Sequence, residues 1–267
     1  VTGKTGDGSV NATTAMPIAS ASKWLFGAYV VERFKTDLTK IDVDAMTMRR
    51  GYTSLRFPRC ALTSTVLECF EARHLDGTRN SDHDALHDGK FFYGGGHFQK
   101  YAVDLGLGPM TNAQLDDEYR AKLGADLAIT FAHGSPQPAG GMHGTAAGYA
   151  AFLRAMLTGK LALGAHLGEK AACTNRCADA LYTPAKDYAW HYSYGHWVED
   201  DPTSSPPGDG TFSSAGAFGF YPWIDASKKH YGVIARHVLG REAGVDSAKC
   251  GIKIRQAFVT KSAPACK

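Results

Sequence analysis

Residues 17–34 read Pro17-Ile18-Ala19-Ser20-Ala21-Ser22-Lys23-Trp24-Leu25-Phe26-Gly27-Ala28-Tyr29-Val30-Val31-Glu32-Arg33-Phe34. The run is apolar on nearly every face, which predicts a buried helix rather than a surface one. Ser20 and Lys23 lie three apart and so share a helical face. Ser20 follows Pro17, at the expected helix N-terminus, where free N–H groups and the dipole favour negative charge. Lys23 lies one turn deeper, among Trp24, Leu25 and Phe26, where burial disfavours the ammonium form and lowers a lysine pKa. Such an amine can take a serine proton. Ser-x-x-Lys also arises by chance, and a capping serine with a snorkelling lysine has the same spacing.

Two further segments carry chemistry. Phe91-Phe92-Tyr93-Gly94-Gly95-Gly96-His97-Phe98-Gln99 places three glycines between an aromatic residue and a predicted helix, which allows tight turning and close backbone approach. The structural reading is a glycine turn with a packed tyrosine. Ser213-Ser214-Ala215-Gly216-Ala217-Phe218-Gly219 is a strand of small residues, along which a substrate could lie and whose N–H groups could stabilise an oxyanion. The structural reading is a glycine-softened edge strand.

In this order the three segments resemble the serine β-lactamase and penicillin-binding-protein superfamily, most nearly its class C-like branch with the family VIII carboxylesterases and DD-peptidases. That superfamily carries Ser-x-x-Lys, then Tyr-x-Asn, then Lys-Thr-Gly or His-x-Gly. The resemblance runs over about residues 7–260. It implies that Ser20 is the acylated nucleophile, Lys23 its activating partner and Tyr93 the proton shuttle. The backbone N–H groups of Ser20 and Ala217 would form the oxyanion hole. Gly95, Ser214, Gly216, Phe218 and His143 would border the substrate. No metal and no cofactor are implied.

The pattern departs from the family at two places. Gly95 stands where the second motif has Asn, so an amide-recognising side chain is missing. Ser214 stands where the third motif has a cation, so a partner for a substrate carboxylate is missing. Such a charge-assisted contact is worth about 1.5–3 kcal/mol. Both departures favour a carboxylesterase over an amidase or peptidase acting on D-amino-acid or cyclic amides, or a DD-peptidase or β-lactamase. A catalytically silent binding protein on the same fold is the reading from another class. Ser22 is expected to bond locally. Phe218, Tyr221 and Trp223 offer an apolar acyl surface or, for at least two of them, core packing.

The rest of the chain bounds these readings. With 267 residues, 44% apolar and 21% charged, it is long enough to bury a core and has ordinary globular composition. A balance of 29 basic and 26 acidic residues makes no electrostatic case for nucleic acid, and no apolar run is long enough for a membrane span. The resemblance implies a small-molecule or oligomeric ester or amide as the partner. Six cysteines fall in local pairs, read by proximity as disulfides Cys60–Cys69, Cys173–Cys177 and Cys250–Cys266, which would mean a secreted or periplasmic protein. Asp82, His83, Asp84, His87 and Asp88 could ligate a cation, although such loop residues are usually just solvated.

The expected fold is α+β, with an antiparallel sheet flanked by helices and an inserted helical region. An α/β region from residues 1–35 and 190–267 would face a helical region over 36–189. Helices are predicted over 97–106, 112–123, 146–158 and 244–260, the third with Ala147, Tyr149, Ala150, Leu153 and Leu157 on its buried face. Strands are predicted over 190–199, 212–224 and 230–239. Three strands leave an open edge, so a preceding segment, either cleaved but still bound or belonging to a longer chain, is expected to complete the sheet.

Overall fold

A computed structural model of the chain describes residues 10–35, 37–240 and 242–262. Its helices are α1 (Ser22–Phe34), α2 (Lys40–Met46), α3 (Phe57–Cys60), α4 (Val66–Glu71), α5 (Gly96–Asp104), α6 (Asn112–Leu123), α7 (Ala146–Leu157) and α8 (Ala243–Thr260). Its strands are short: β1 (Met16–Pro17), β2 (Phe91–Phe92), β3 (Phe131–His133), β4 (Met142–Gly144), β5 (Ala172–Cys173), β6 (Ala180–Tyr182), β7 (His191–Ser193), β8 (His196–Glu199), β9 (Thr211–Ser213), β10 (Tyr221–Ile224) and β11 (Tyr231–Ile234).

Among the described residues the main sheet has six antiparallel strands in the order β11-β10-β9-β8-β7-β5, not three. The run 190–199 is a hairpin rather than one strand. Gly195, at φ +79°, supplies the left-handed turn between β7 and β8. The run 212–224 likewise splits into β9 and β10, because residues 214–220 turn around Gly219, at φ +99°. The strand predicted over 230–239 ends at Ile234. β5 joins this sheet from within the stretch expected to be helical. Two smaller sheets, β1-β4-β3 and β2-β6, went unpredicted because their strands are too short for a period to show.

Helices cover both faces of the main sheet. Tyr221 and Trp223 alternate toward α8, where Gly251 and Arg255 receive them. The Ile224–Tyr231 pair faces α7, whose Arg154 donates to the Tyr231 hydroxyl at 3.1 Å. Helix α7 begins at Thr145, whose hydroxyl accepts from Gly148 N. Its buried face is broader than the predicted one and rotated from it. Phe152, Ala155 and Met156 are buried, Leu157 is half-buried and Ala147 is exposed. The helix is packed on two sides, by β10 and β11 and by a 3-10 turn at Ala162–His166.

Helix α1 is buried from Ser22 to Val31, which matches its apolar circumference. It comes so close to the β7–β8 hairpin that side chains are excluded at the crossing. A Cβ on Gly27 would lie 2.1 Å from Tyr194 O, and one on Gly195 2.2 Å from Lys23 O. Disulfides Cys60–Cys69 and Cys173–Cys177 form as paired. Cys266, and with it the third predicted bond, lies outside the described residues.

Candidate active site

Ser20 sits in a 3-10 turn, Ala19–Ala21, that leads into α1. The turn is fixed by three bonds from outside it. Ile18 N donates to Met142 O at 3.0 Å, Met142 N donates to Ser22 Oγ at 3.3 Å, and the Tyr149 hydroxyl donates to Ala21 O at 2.8 Å. Ala19, immediately before Ser20, has φ +45°, a left-handed conformation that costs a non-glycine residue about 1 kcal/mol or more.

Lys23 is 4% exposed. Its Nζ lies 3.0 Å from Ser20 Oγ and donates to Ala139 O at 2.7 Å. Its Nζ is also 5.0 Å from the centre of the Tyr93 ring. Among the described residues no carboxylate pairs with it, and burial alone pulls its pKa down to about 7. The Ala139 carbonyl is set by a buried turn. Gly140 N and Gly141 N both donate to Gln137 O, and Gln137 Nε2 donates to Ser135 Oγ. The sequence carried no signal for this acceptor.

Tyr93 follows β2, its N–H donating to Tyr182 O at 3.0 Å. Burial pushes its phenol up to about 12, with the Ser20 hydroxyl and the Trp197 side chain acting in the opposite sense. His97, singled out with the same glycine block, is structural. It accepts from Arg50 N and bonds Phe92 O, and burial pulls its pKa down to about 3.

Ser20 and Tyr93 open on a cavity of about 130 Å³. Ala215, Gly216 and Ala217 form one side, and the first turns of α8, Gly244, Val245 and Ala248, form another. Trp190 and Trp197 close it together with Pro184 and Ala185. No charged side chain lines it among the described residues. Ser20 and Ala217 both line this cavity, and among the described residues neither backbone N–H has an acceptor. Gly216 cannot carry a side chain, because its Cβ would lie 2.2 Å from Ile18 O.

Three expected contacts fall elsewhere. Ser214 is buried and turned inward, donating to Ser20 O at 3.1 Å, so its hydroxyl braces the nucleophile turn instead of facing substrate. His143 is exposed on β4, packed by Gly134, and does not border the cavity. Phe218 stacks edge-on with His237 outside the cavity wall. Tyr221 and Trp223 belong to the core against α8. At Gly95, a Cβ would meet Leu55 Cδ2 at 2.9 Å and Ala139 Cβ at 3.2 Å, so Leu55 occupies the space an amide side chain would need. The Asp82–Asp88 loop makes local pairs such as His83 with Asp88 at 2.9 Å. Among the described residues no metal-holding group gathers there or elsewhere. The cavity residues that sequence reasoning missed are Trp190, Trp197, Pro184, Ala185 and the α8 turn.

This is the fold of the serine β-lactamase and penicillin-binding-protein superfamily. Three solved structures illustrate the likeness. A protein from Bacteroides dorei DSM 17855 provisionally named a β-lactamase is 19% identical with a TM-score of 0.64, over 93% of this chain and 87% of that one. The D-amino acid amidase of Ochrobactrum anthropi SV3, complexed with D-phenylalanine, is 11% identical with a TM-score of 0.62, over 95% and 87%. EstCE1, a hydrolase with promiscuous acyltransferase activity, is 13% identical with a TM-score of 0.59, over 93% and 85%. No protein-family model matches the sequence, and no curated protein matches it.

Proposed function

We propose that the chain is a serine hydrolase that forms an acyl-enzyme on Ser20, and that it acts as a carboxylesterase on small neutral esters. The observation that carries this reading is Lys23: a buried amine without a carboxylate partner, 3.0 Å from the Ser20 hydroxyl. Near neutral pH much of it is unprotonated and free to accept the serine proton. Ser20 Oγ then attacks the ester carbonyl, and the oxyanion meets the N–H groups of Ser20 and Ala217. The Tyr93 phenol, protonated across the working range, gives its proton to the departing alkoxide and regains one from the Lys23 ammonium. In the second half, water gives up a proton by the same route and releases the acid.

The choice of ester over amide rests on what surrounds the site. Leu55 fills the space beside Gly95, Ser214 faces away, and the cavity walls are neutral. Nothing there holds an amide N–H or a substrate carboxylate by a side chain. Two disulfides support a secreted or periplasmic setting. The test is a substrate panel with Ser20→Ala as control. The reading expects short-chain ester turnover that Ser20→Ala abolishes, with kcat/KM for benzylpenicillin and D-Ala-D-Ala peptides far lower. Equal kcat/KM for a β-lactam and an ester, or ester turnover kept by Ser20→Ala, contradicts it. Preferential cleavage of D-amino-acid amides would turn the assignment to an amidase.

A further inference from the structure

We propose that Trp197 is a positioning residue for Tyr93, holding the phenol by ring stacking so that its proton is aimed at the leaving group. This rests on the acyl-enzyme reading above. Lys23 Nζ lies 5.0 Å from the centre of the Tyr93 ring, the Ser20 hydroxyl and the Trp197 side chain act on the phenol itself, and Ser214 is turned inward. Packing of the ring sets the plane in which these groups meet the phenol.

Trp197 supplies that packing. Its ring lies nearly parallel to the Tyr93 ring, with centroids 5.2 Å apart and planes 14° apart. Aromatic pairs in offset stacks attract beyond their burial, enough to bias one ring orientation by about two- to tenfold. Trp197 is itself fixed. It is 3% exposed and meets Phe91, Trp190 and Tyr192 edge-on. Tyr192 also meets Tyr93 at 90°, so two rings at right angles define the phenol plane. The main chain of Trp197 pairs with Ser213, which leads directly into the Ala217 donor. One residue thus ties the proton donor to the strand that leads into the turn carrying half of the oxyanion site.

The test separates this role from that of a mere cavity wall. Ethyl butyrate has a poor leaving group that needs a proton, while p-nitrophenyl butyrate has the same acyl group and leaves without one. The informative quantity is the ratio of kcat/KM for the two esters. Trp197→Met and Trp197→Leu, with folding checked by circular dichroism, should lower that ratio by up to about tenfold, in the direction of Tyr93→Phe. Trp197→Phe, which keeps a stacking ring, should restore the ratio to within about threefold. Added to Tyr93→Phe, Trp197→Met should leave the ratio unchanged. Equal losses on both esters, no rescue by Phe, or a further fall of the ratio in the Tyr93→Phe background would overturn the proposal. A wild-type protein that cleaves neither ester would instead overturn the acyl-enzyme reading, and this one with it.

Discussion

Among the described residues Lys23 and Arg255 are buried, and their surroundings send them in opposite directions. Arg255 on α8 is 8% exposed and fully partnered. It meets Glu199 and Asp209 at 2.6 Å and the Tyr221 hydroxyl at 2.8 Å, with Ser213 completing the Glu199 shell. Burial works against its charge, but Tyr221, Glu199 and Asp209 outweigh it and hold the guanidinium firmly protonated. Lys23, equally buried, has a serine hydroxyl and a carbonyl but no anion, and burial wins. A paired buried charge locks helix to sheet. An unpaired one is left ready to give up its proton, which is useful beside a nucleophile and costly for stability.

The contrast can be broken most forcefully at Lys23 itself. Lys23→Met should lower ester kcat by about 10³-fold or more while raising thermal stability, because it removes an unpaired buried amine. The double variant with Ser20→Ala should be little worse than either single one, since the two act as a unit. Lost stability in Lys23→Met would show that the amine is not the burden described here.

Arg255→Met should do the reverse. Leaving Glu199 and Asp209 without their cation should cost about 3–5 kcal/mol. In a chain of this size that is on the order of 10 °C in Tm. Turnover per folded molecule should stay near wild type. A large loss of kcat at a temperature where the variant is folded would argue against a purely structural role.

The pH dependence follows from the direction of the Lys23 shift. Its folded pKa, about 7, lies below the value of 10.5 for a solvated lysine, so between these the unfolded chain binds more protons. Wild-type stability, measured relative to Lys23→Met, should therefore rise with pH from about 7, at up to about 1.4 kcal/mol per unit. Below pH 7 the cost of burial is present in full. Activity should share the acid limb, rising through an apparent pKa near 7, with no matching fall before pH 10 because the Tyr93 phenol stays protonated to about 12. A bell with a basic limb near pH 8 would contradict these assignments. The smallest effect concerns Ala19. Ala19→Gly relieves the φ of +45° but loosens the unfolded chain, so stability should change by under about 1 kcal/mol. A loss beyond 2 kcal/mol by denaturant titration would mean that the methyl group itself packs.

What the sequence revealed tracks the length and uniformity of each element. Helices α6 and α8 were legible to within a residue, and α1 at its C-terminal end, whereas its expected start at Pro17 belongs to β1 and the 3-10 turn. Strands of two to four residues carry no readable period, so Gly195 and Gly219 passed as strand residues although each turns the chain. The site shows the same division. Ser20, Lys23 and Tyr93 stand in motifs with fixed spacing, and folding brings Ser20 and Tyr93 to one cavity with Lys23 behind Ser20. Trp190 and Trp197 reach the cavity, Leu55 reaches Gly95 and the Ala139 carbonyl reaches Lys23 from separate loops and hairpins, so only topology reveals them. Ser214 misled for the opposite reason: its position aligned with a substrate contact, but its hydroxyl found Ser20 O.

The central claim is that Ser20 is a nucleophile activated by an unpaired Lys23, and covalent labelling tests it most directly. Incubation with a fluorophosphonate, followed by intact-mass and peptide mass spectrometry across pH 5–10, reports both the site and its ionisation. The account predicts a single adduct on Ser20, formed at a rate that rises through an apparent pKa near 7 and collapses in Lys23→Met. Absence of an adduct on the folded protein, or labelling of Ser20 that proceeds equally well without Lys23, would contradict it.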